Sequence, residues 1–107
     1  IGEIKVYHYR QAIKDFTNAI DISKDFAEAY YNRGLAKMAV SDLTSALEDF
    51  NAACDLRENF AEAYYNKGII KIQQGYTKEG ISDLSKAGEL GLYSAYSLIK
   101  KYQNQQQ

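Results

Sequence analysis

The sequence FAEAYYNRG at residues 26–34 returns as FAEAYYNKG at residues 60–68, with Lys67 in place of Arg33 as the only difference. A copy this close indicates a repeat array, and a period of about 34 residues is typical of helix pairs that stack in a row. The sequence therefore predicts an all-α repeat protein that functions by binding other molecules.

A second pattern occurs three times with the same period, in the helices that follow each copy of the first pattern and in one helix before them. It consists of a small residue, an aspartate, a large apolar residue and an alanine. Because the period holds over most of the chain, it indicates a real repeat. The positions are Ala12, Ala46 and Gly80; Asp15, Asp49 and Asp83; Phe16, Phe50 and Leu84; and Ala19, Ala53 and Ala87.

The apolar spacing predicts a single domain over residues 1–103, in which helices alternate with short turns. Residues 1–8 are expected to form the tail of a helix and a turn. Asp42 and Thr77 are predicted helix N-caps, and Gly75 and Gly91 are predicted to end helices. The predicted helices span 9–22, 27–40, 43–56, 61–74 and 93–103, and one further helix follows the Thr77 cap and runs to residue 90. They form a partial repeat (1–26), two full repeats (27–60 and 61–94) and a capping helix (93–103), before a flexible tail (104–107).

Composition excludes several classes of function. The 13 basic and 14 acidic residues are mixed and give a net charge of −1, which disfavours nucleic acid and anionic membrane surfaces as partners. Cys54 is the only cysteine, so an internal disulfide is impossible and a cysteine-based metal site is not expected. No apolar run reaches the roughly 20 residues of a membrane span. The chain starts at Ile1 and not at a methionine, which predicts an internal or processed start. The sequence does not determine the cellular compartment, and the cytoplasm is preferred.

On these positions the chain resembles the tetratricopeptide repeat (TPR) family, over about residues 9–103. The resemblance implies a right-handed superhelical stack of antiparallel helix pairs, closed by the C-terminal capping helix. Arg33 and Lys67 replace a common Leu and are expected to keep their charged ends in water. The first unit lacks most of its opening helix, so its apolar face is expected to be partly uncovered. The matching residues are Tyr30, Gly34, Ala46, Phe50 and Ala53, then Tyr64, Gly68, Gly80, Leu84 and Ala87; Lys24, Glu58 and Leu92 replace the usual proline.

The resemblance also implies that the first helix of each pair lines an inner groove. Aromatic and amide side chains on one helical face suit an extended or helical peptide, because rings offer contact area and amides bind backbone. An equally open alternative is that Tyr31 and Tyr65 stack on each other and seal the repeat interface. The predicted groove residues are Glu28, Tyr31, Asn32, Leu35 and Met38 in the first copy, and Glu62, Tyr65, Asn66, Ile69 and Ile72 in the second.

The preferred function is therefore a protein-interaction module or scaffold that binds a partner protein's peptide or helix, and the alternative is homo-oligomerisation through the N-terminal partial repeat. An RNA-binding repeat is disfavoured by the charge balance. Some TPR proteins clamp a C-terminal carboxylate, and Asn32 and Asn66 match one clamp position. The clamp cations are missing, which disfavours that ligand; Tyr31, Tyr65, Leu35 and Ile69 stand in their places. No catalytic set, metal site or cofactor motif is predicted, and the repeated aspartates are expected to cap or pair on the outer surface.

Overall fold

The computed structural model describes residues 2–105, which form six α-helices and contain no strand. The all-α prediction is therefore confirmed. The helices span α1 (Glu3–Ile22), α2 (Ala27–Ala39), α3 (Leu43–Leu56), α4 (Ala61–Gln73), α5 (Thr77–Glu89) and α6 (Ser94–Gln105).

The helices group into two compact units. One unit ends at Arg57 and the other begins at Glu58. In the first unit α1 packs on α2 and α2 packs on α3, whereas in the second unit α4 packs on α5 and α5 packs on α6. Each unit therefore contains one helical hairpin of the repeat, α2–α3 or α4–α5, and one further helix beside it.

Small residues let the helices of each hairpin approach closely. A Cβ at Gly34 would lie 2.8 Å from the Phe50 ring, and a Cβ at Gly68 would lie 2.7 Å from the Gly80 carbonyl oxygen. The large residues opposite these glycines, Phe50 and Leu84, have no solvent exposure. In both units, therefore, the two helices of the hairpin approach most closely where one of them carries a small residue.

Two helix-ending residues have the backbone conformation that glycine favours. Gly75 has φ +94° and directly follows Gln74, the C-cap of α4. Gly91 has φ +109° and directly follows Leu90, the C-cap of α5. Both glycine predictions are confirmed. In the first unit the same turn is made by Ser41, with φ +66°.

Other helix ends differ from the expectations. α1 is continuous from Glu3, so the turn expected within residues 1–8 is wrong for residues 3–8; no Gly or Pro after Gly2 interrupts the helix, and Ile1 lies outside the described residues. Tyr76, not Thr77, is the N-cap of α5, and Asp42 is the N-cap of α3 without a side-chain capping bond. α6 continues through Gln105, past its predicted end at residue 103, and the rest of the predicted tail (106–107) lies outside the described residues.

Candidate functional site

The predicted groove residues of the first unit lie on one face of α2, which we call the α2 face (Glu28, Tyr31, Asn32, Leu35 and Met38). Glu28 and Leu35 are exposed, and the other three side chains are half-buried. Glu28 accepts a hydrogen bond of 3.2 Å from Arg57 Nη2 in an exposed ion pair. The Tyr31 ring lies 5.7 Å from the Phe50 ring, centroid to centroid, in a tilted contact. Tyr31 is therefore anchored by the core of its own unit while part of its surface remains open.

The corresponding residues of the second unit form the α4 face (Glu62, Tyr65, Asn66, Ile69 and Ile72). Glu62 is exposed and the other four are half-buried. Asn66 Nδ2 donates a hydrogen bond of 3.0 Å to the Glu62 carbonyl oxygen, which holds the amide against its own helix. The three apolar members pack against the buried cluster of α5 and α6. Ile69 is half-buried whereas the equivalent Leu35 of the α2 face is exposed, so the α4 face is the more buried of the two.

A buried carboxylate joins α3 to α2 through two cations. Asp49 is only 3% exposed. Arg33 donates to it from Nε (2.8 Å) and from Nη2 (2.6 Å), and Lys37 Nζ lies 3.0 Å from its Oδ2. The hydrogen bond to Asp49 raises the pKa of the Arg33 guanidinium above its ordinary value, against the opposing effect of burial. Arg33 Nη1 also donates to the Thr17 hydroxyl on α1 (3.2 Å), so this one side chain of α2 contacts both α1 and α3.

The second unit repeats this arrangement at the equivalent positions of its own hairpin. Asp83 Oδ1 lies 3.6 Å from Lys67 Nζ, and Asp83 Oδ2 lies 2.9 Å from Lys71 Nζ. The expectation that Asp49 and Asp83 lie on the outer surface is wrong, because both face the preceding helix of the hairpin. The expectation that Arg33 and Lys67 keep their charged ends in water is also wrong, because a carboxylate inside the hairpin binds them.

Sequence reasoning missed both charge clusters, although the sequence carries their signal. A basic pair at positions i and i+4 precedes each of these aspartates, at Arg33 and Lys37 and again at Lys67 and Lys71. Side chains at i and i+4 share one helical face, so both cations can reach one carboxylate on the next helix. These pairs contain every cation of α2 and α4, so each cation of the two helices is paired with an aspartate.

Family models match most of the chain. A model described as TPR repeat matches residues 8–41, and one described as tetratricopeptide repeat matches residues 27–60 and 61–90. This chain belongs to the tetratricopeptide repeat family. The TPR resemblance noted in the sequence is thereby confirmed, and TPR units form a protein-interaction fold. No curated protein matches the TPR chain significantly in sequence.

Solved structures of other proteins share the fold at low sequence identity. The first TPR of Spaghetti (RPAP3), bound to the HSP90 peptide SRMEEVD, superposes with a TM-score of 0.86 at 22% identity, covering 94% of this chain and 82% of that one. The Yersinia enterocolitica type III secretion chaperone SycD, in complex with a peptide of the translocator YopD, gives a TM-score of 0.88 at 15% identity, covering 94% and 83%. The TPR2B domain of yeast Sti1, in a pHsp70 complex, gives 0.80 at 20% identity, covering 96% and 99%. At these identities the likeness shows the fold.

Residues 2–105 contain no group of three or more His, Cys, Asp or Glu side chains that could hold a metal ion. None of their helices combines the length and apolar character that crossing a membrane requires.

Proposed function

We propose that this TPR chain is an interaction module that binds an extended or helical segment of a partner protein, with the α2 face as its principal contact in the first unit. The single observation that carries the proposal is the arrangement of α2. Gly34, Arg33 and Lys37 fix another side of α2 against α3, while Leu35 is 37% exposed at the open face. A rigid helix with an open apolar side chain is a suitable platform for a ligand.

The side chains of the α2 face supply both kinds of contact that a peptide needs. Leu35, Met38 and the open part of Tyr31 offer apolar area, and the half-buried Asn32 amide can donate to and accept from peptide backbone. Tyr31 is held against Phe50, so little side-chain entropy is lost when a ligand covers it. Solved structures with the same fold hold peptides of HSP90 and YopD, which supports a peptide as the class of ligand.

The charged side chains of α2 and α4 limit which peptides can bind. A carboxylate-ended peptide needs cations on the binding helices, but all four cations of α2 and α4 are bound to Asp49 or Asp83. Glu28 is compensated by Arg57, whereas Glu62 forms no ion pair among the described residues. We therefore propose an apolar peptide of neutral or basic character and not an acidic C-terminus. The proposal includes no catalytic step.

The test starts from a displayed peptide library selected on the full chain, and measures the selected peptide by calorimetry on variants. Leu35→Ala is expected to weaken binding about tenfold, because it removes an apolar contact near the centre of the α2 face. Leu56→Ala is the matched control, since Leu56 is a leucine of the same unit with a similar exposure of 44% but lies on α3. Equal affinity of Leu35→Ala and the unmodified chain, or loss of binding in Leu56→Ala alone, would place the site elsewhere.

A further inference from the structure

The α2 face and the α4 face differ in how the carboxylate at their N-terminal end is compensated. On the α2 face, Glu28 Oε1 lies 3.2 Å from Nη2 of Arg57, the residue that directly follows α3. The equivalent carboxylate of the α4 face is Glu62, which is exposed and forms no ion pair among residues 2–105. The residue equivalent to Arg57 is Gly91, one repeat period further on. The second unit therefore lacks the cation that the first unit places beside this carboxylate.

The neighbours of Glu62 on α4 do not supply that cation either. The residues three and four positions further on, which share its helical face, are uncharged. The two cations of α4, Lys67 and Lys71, are paired with Asp83. An acidic side chain in the first turn of a helix is favoured by the helix dipole, so the fold tolerates Glu62 without a cation. A bound molecule can therefore supply the missing positive charge.

Tyr65 makes arginine the preferred cation. It shares the helical face of Glu62, is half-buried, and packs against the buried cluster that includes Leu84. A guanidinium can bind a carboxylate through two parallel hydrogen bonds and can also lie flat against an aromatic ring, whereas an ammonium has no plane to stack. The combination of Glu62 and Tyr65 consequently suits the side chain of an arginine better than that of a lysine.

The apolar part of the α4 face lies at a fixed distance from Glu62. Ile69 follows Glu62 by seven positions, which is about 10 Å along the helix axis at about 1.5 Å per residue. An extended peptide advances by about 3.3 Å per residue, so about three residues cover the same distance. An extended segment with an arginine beside Glu62 therefore places the residue three positions away beside Ile69.

We propose that the α4 face selects a partner segment in which an arginine and an apolar residue are three positions apart. The arginine binds the Glu62 carboxylate against the Tyr65 ring, and the apolar residue contacts Ile69. This selectivity rests on the proposed function and deepens it, because it names the side chains that the second unit recognises in the bound segment. Two observations carry it: the charge complementarity, and the equivalent pair of Glu28 and Arg57 in the first unit.

The displayed peptide library provides the first test. Among peptides selected on the full chain, arginine should be enriched three positions from an apolar residue, and selection on Glu62→Gln should lose that enrichment. Glu79→Gln is the matched control and should keep it, because Glu79 is also an exposed acid in the first turn of a helix of the second unit, α5. Both substitutions are at exposed positions and should not unfold the chain, which circular dichroism checks.

An exchange of one peptide side chain measures the contact itself. A fluorescent selected peptide, and the same peptide with the neutral analogue citrulline in place of its arginine, are titrated by anisotropy. Citrulline should weaken binding to the unmodified chain and to Glu79→Gln about fivefold, as expected for an exposed ion pair, and should have no effect on binding to Glu62→Gln. A peptide with glutamate in place of the arginine should bind Glu62→Arg more tightly than the unmodified chain.

The outcomes separate this selectivity from the proposed function. Equal affinities of the arginine and citrulline peptides for the unmodified chain, or an effect of citrulline that persists in Glu62→Gln, overturn the arginine site. If Leu35→Ala still weakens binding of the same peptides, the proposed function stands without the arginine site. A library that yields no saturable binder contradicts both.

Discussion

Arg33 binds Asp49 with two parallel hydrogen bonds, 2.8 Å from Nε to Oδ2 and 2.6 Å from Nη2 to Oδ1. The pair joins the middle of α2 to the middle of α3, with side-chain exposures of 17% and 4%. Paired hydrogen bonds of this kind fix orientation as well as distance. The contact therefore sets how α2 lies on α3, and with it which side of α2 remains open for a ligand.

Removal of the Asp49 carboxylate should destabilise the first unit strongly. Asp49→Ala leaves Arg33 and Lys37 without their carboxylate in a partly buried place, and we expect a loss of about 3 kcal/mol in the free energy of unfolding. Urea denaturation measures this change. Glu28→Gln is the control, because its ion pair with Arg57 is exposed and should contribute less than about 1 kcal/mol. A loss of similar size in both variants would argue against a special role for the buried pair.

The two units differ in the geometry of the contact between the basic side chain and the aspartate. Exchanging arginine and lysine at this position is therefore predicted to change the stability of the two units in opposite directions. Arg33→Lys loses one of the parallel hydrogen bonds and the bond to Thr17, so we expect about 1 kcal/mol of destabilisation. Lys67→Arg replaces a 3.6 Å contact with a side chain that can bind Asp83 in a forked manner, so we expect a small stabilisation. Thermal denaturation of the two variants tests the difference, and a shift of the same sign in both contradicts it.

Three glycine-to-alanine substitutions should differ according to what the new Cβ meets. At Gly80 the Cβ would lie 2.6 Å from the backbone oxygen of Gly68, which cannot move aside, and we expect a loss of about 2 kcal/mol. At Gly34 it meets the Phe50 ring at 2.8 Å, a side chain that can shift slightly, so the net loss should be about 1 kcal/mol after the gain in helix propensity.

Gly88 provides the matched comparison. The three atoms nearest to its added Cβ all belong to the ring of Tyr96, which is 47% exposed and stacks only on the exposed Tyr93 ring among the ring contacts described, so the ring can turn outward and Gly88→Ala should be nearly neutral. Denaturant midpoints of the three variants give the order directly. If Gly88→Ala proves the most destabilising, close helix approach is not what limits these positions.

The acidic peptide SRMEEVD, which is bound by the TPR of Spaghetti (RPAP3), should not bind this chain measurably at physiological salt. The reason is that the cations of α2 and α4 are already paired with aspartates. Calorimetry with the unmodified chain tests this, with a selected apolar peptide as the positive control. Saturable binding of SRMEEVD that disappears in Arg33→Ala would show that Arg33 can leave Asp49 for a ligand.

The periodic part of the structure could be predicted from sequence, because each position recurs at the equivalent place in the next repeat. The bounds of α3 were predicted without error, and those of α2 and α4 to within one residue. The start of α1 could not be predicted, since residues 3–8 have no earlier copy to be compared with and their apolar spacing is weak. Thr77 was misassigned as a cap because its side chain suits that role, whereas the backbone makes Tyr76 the cap.

The charge clusters illustrate a different limit of sequence reasoning. Asp49 lies on α3 and Arg33 on α2, with a turn between them, so no local periodicity connects the two residues. Only the hairpin geometry brings the two together and turns an apparently solvated aspartate into a buried one. The predicted α2 and α4 faces have equivalent sequences, and their tyrosines have related surroundings: Tyr31 contacts Phe50, and Tyr65 packs against a cluster that includes Leu84, the equivalent of Phe50 in the second unit.

The most direct test of the account is amide chemical-shift mapping of a selected peptide on the isotopically labelled chain. The account predicts that the largest shifts in the first unit follow the α2 face, at residues 28, 31, 32, 35 and 38, and that the exposed residues of α3, such as Leu56, stay unchanged. Shifts confined to α3, with α2 unaffected at saturation, would contradict the assignment of ligand binding to the α2 face.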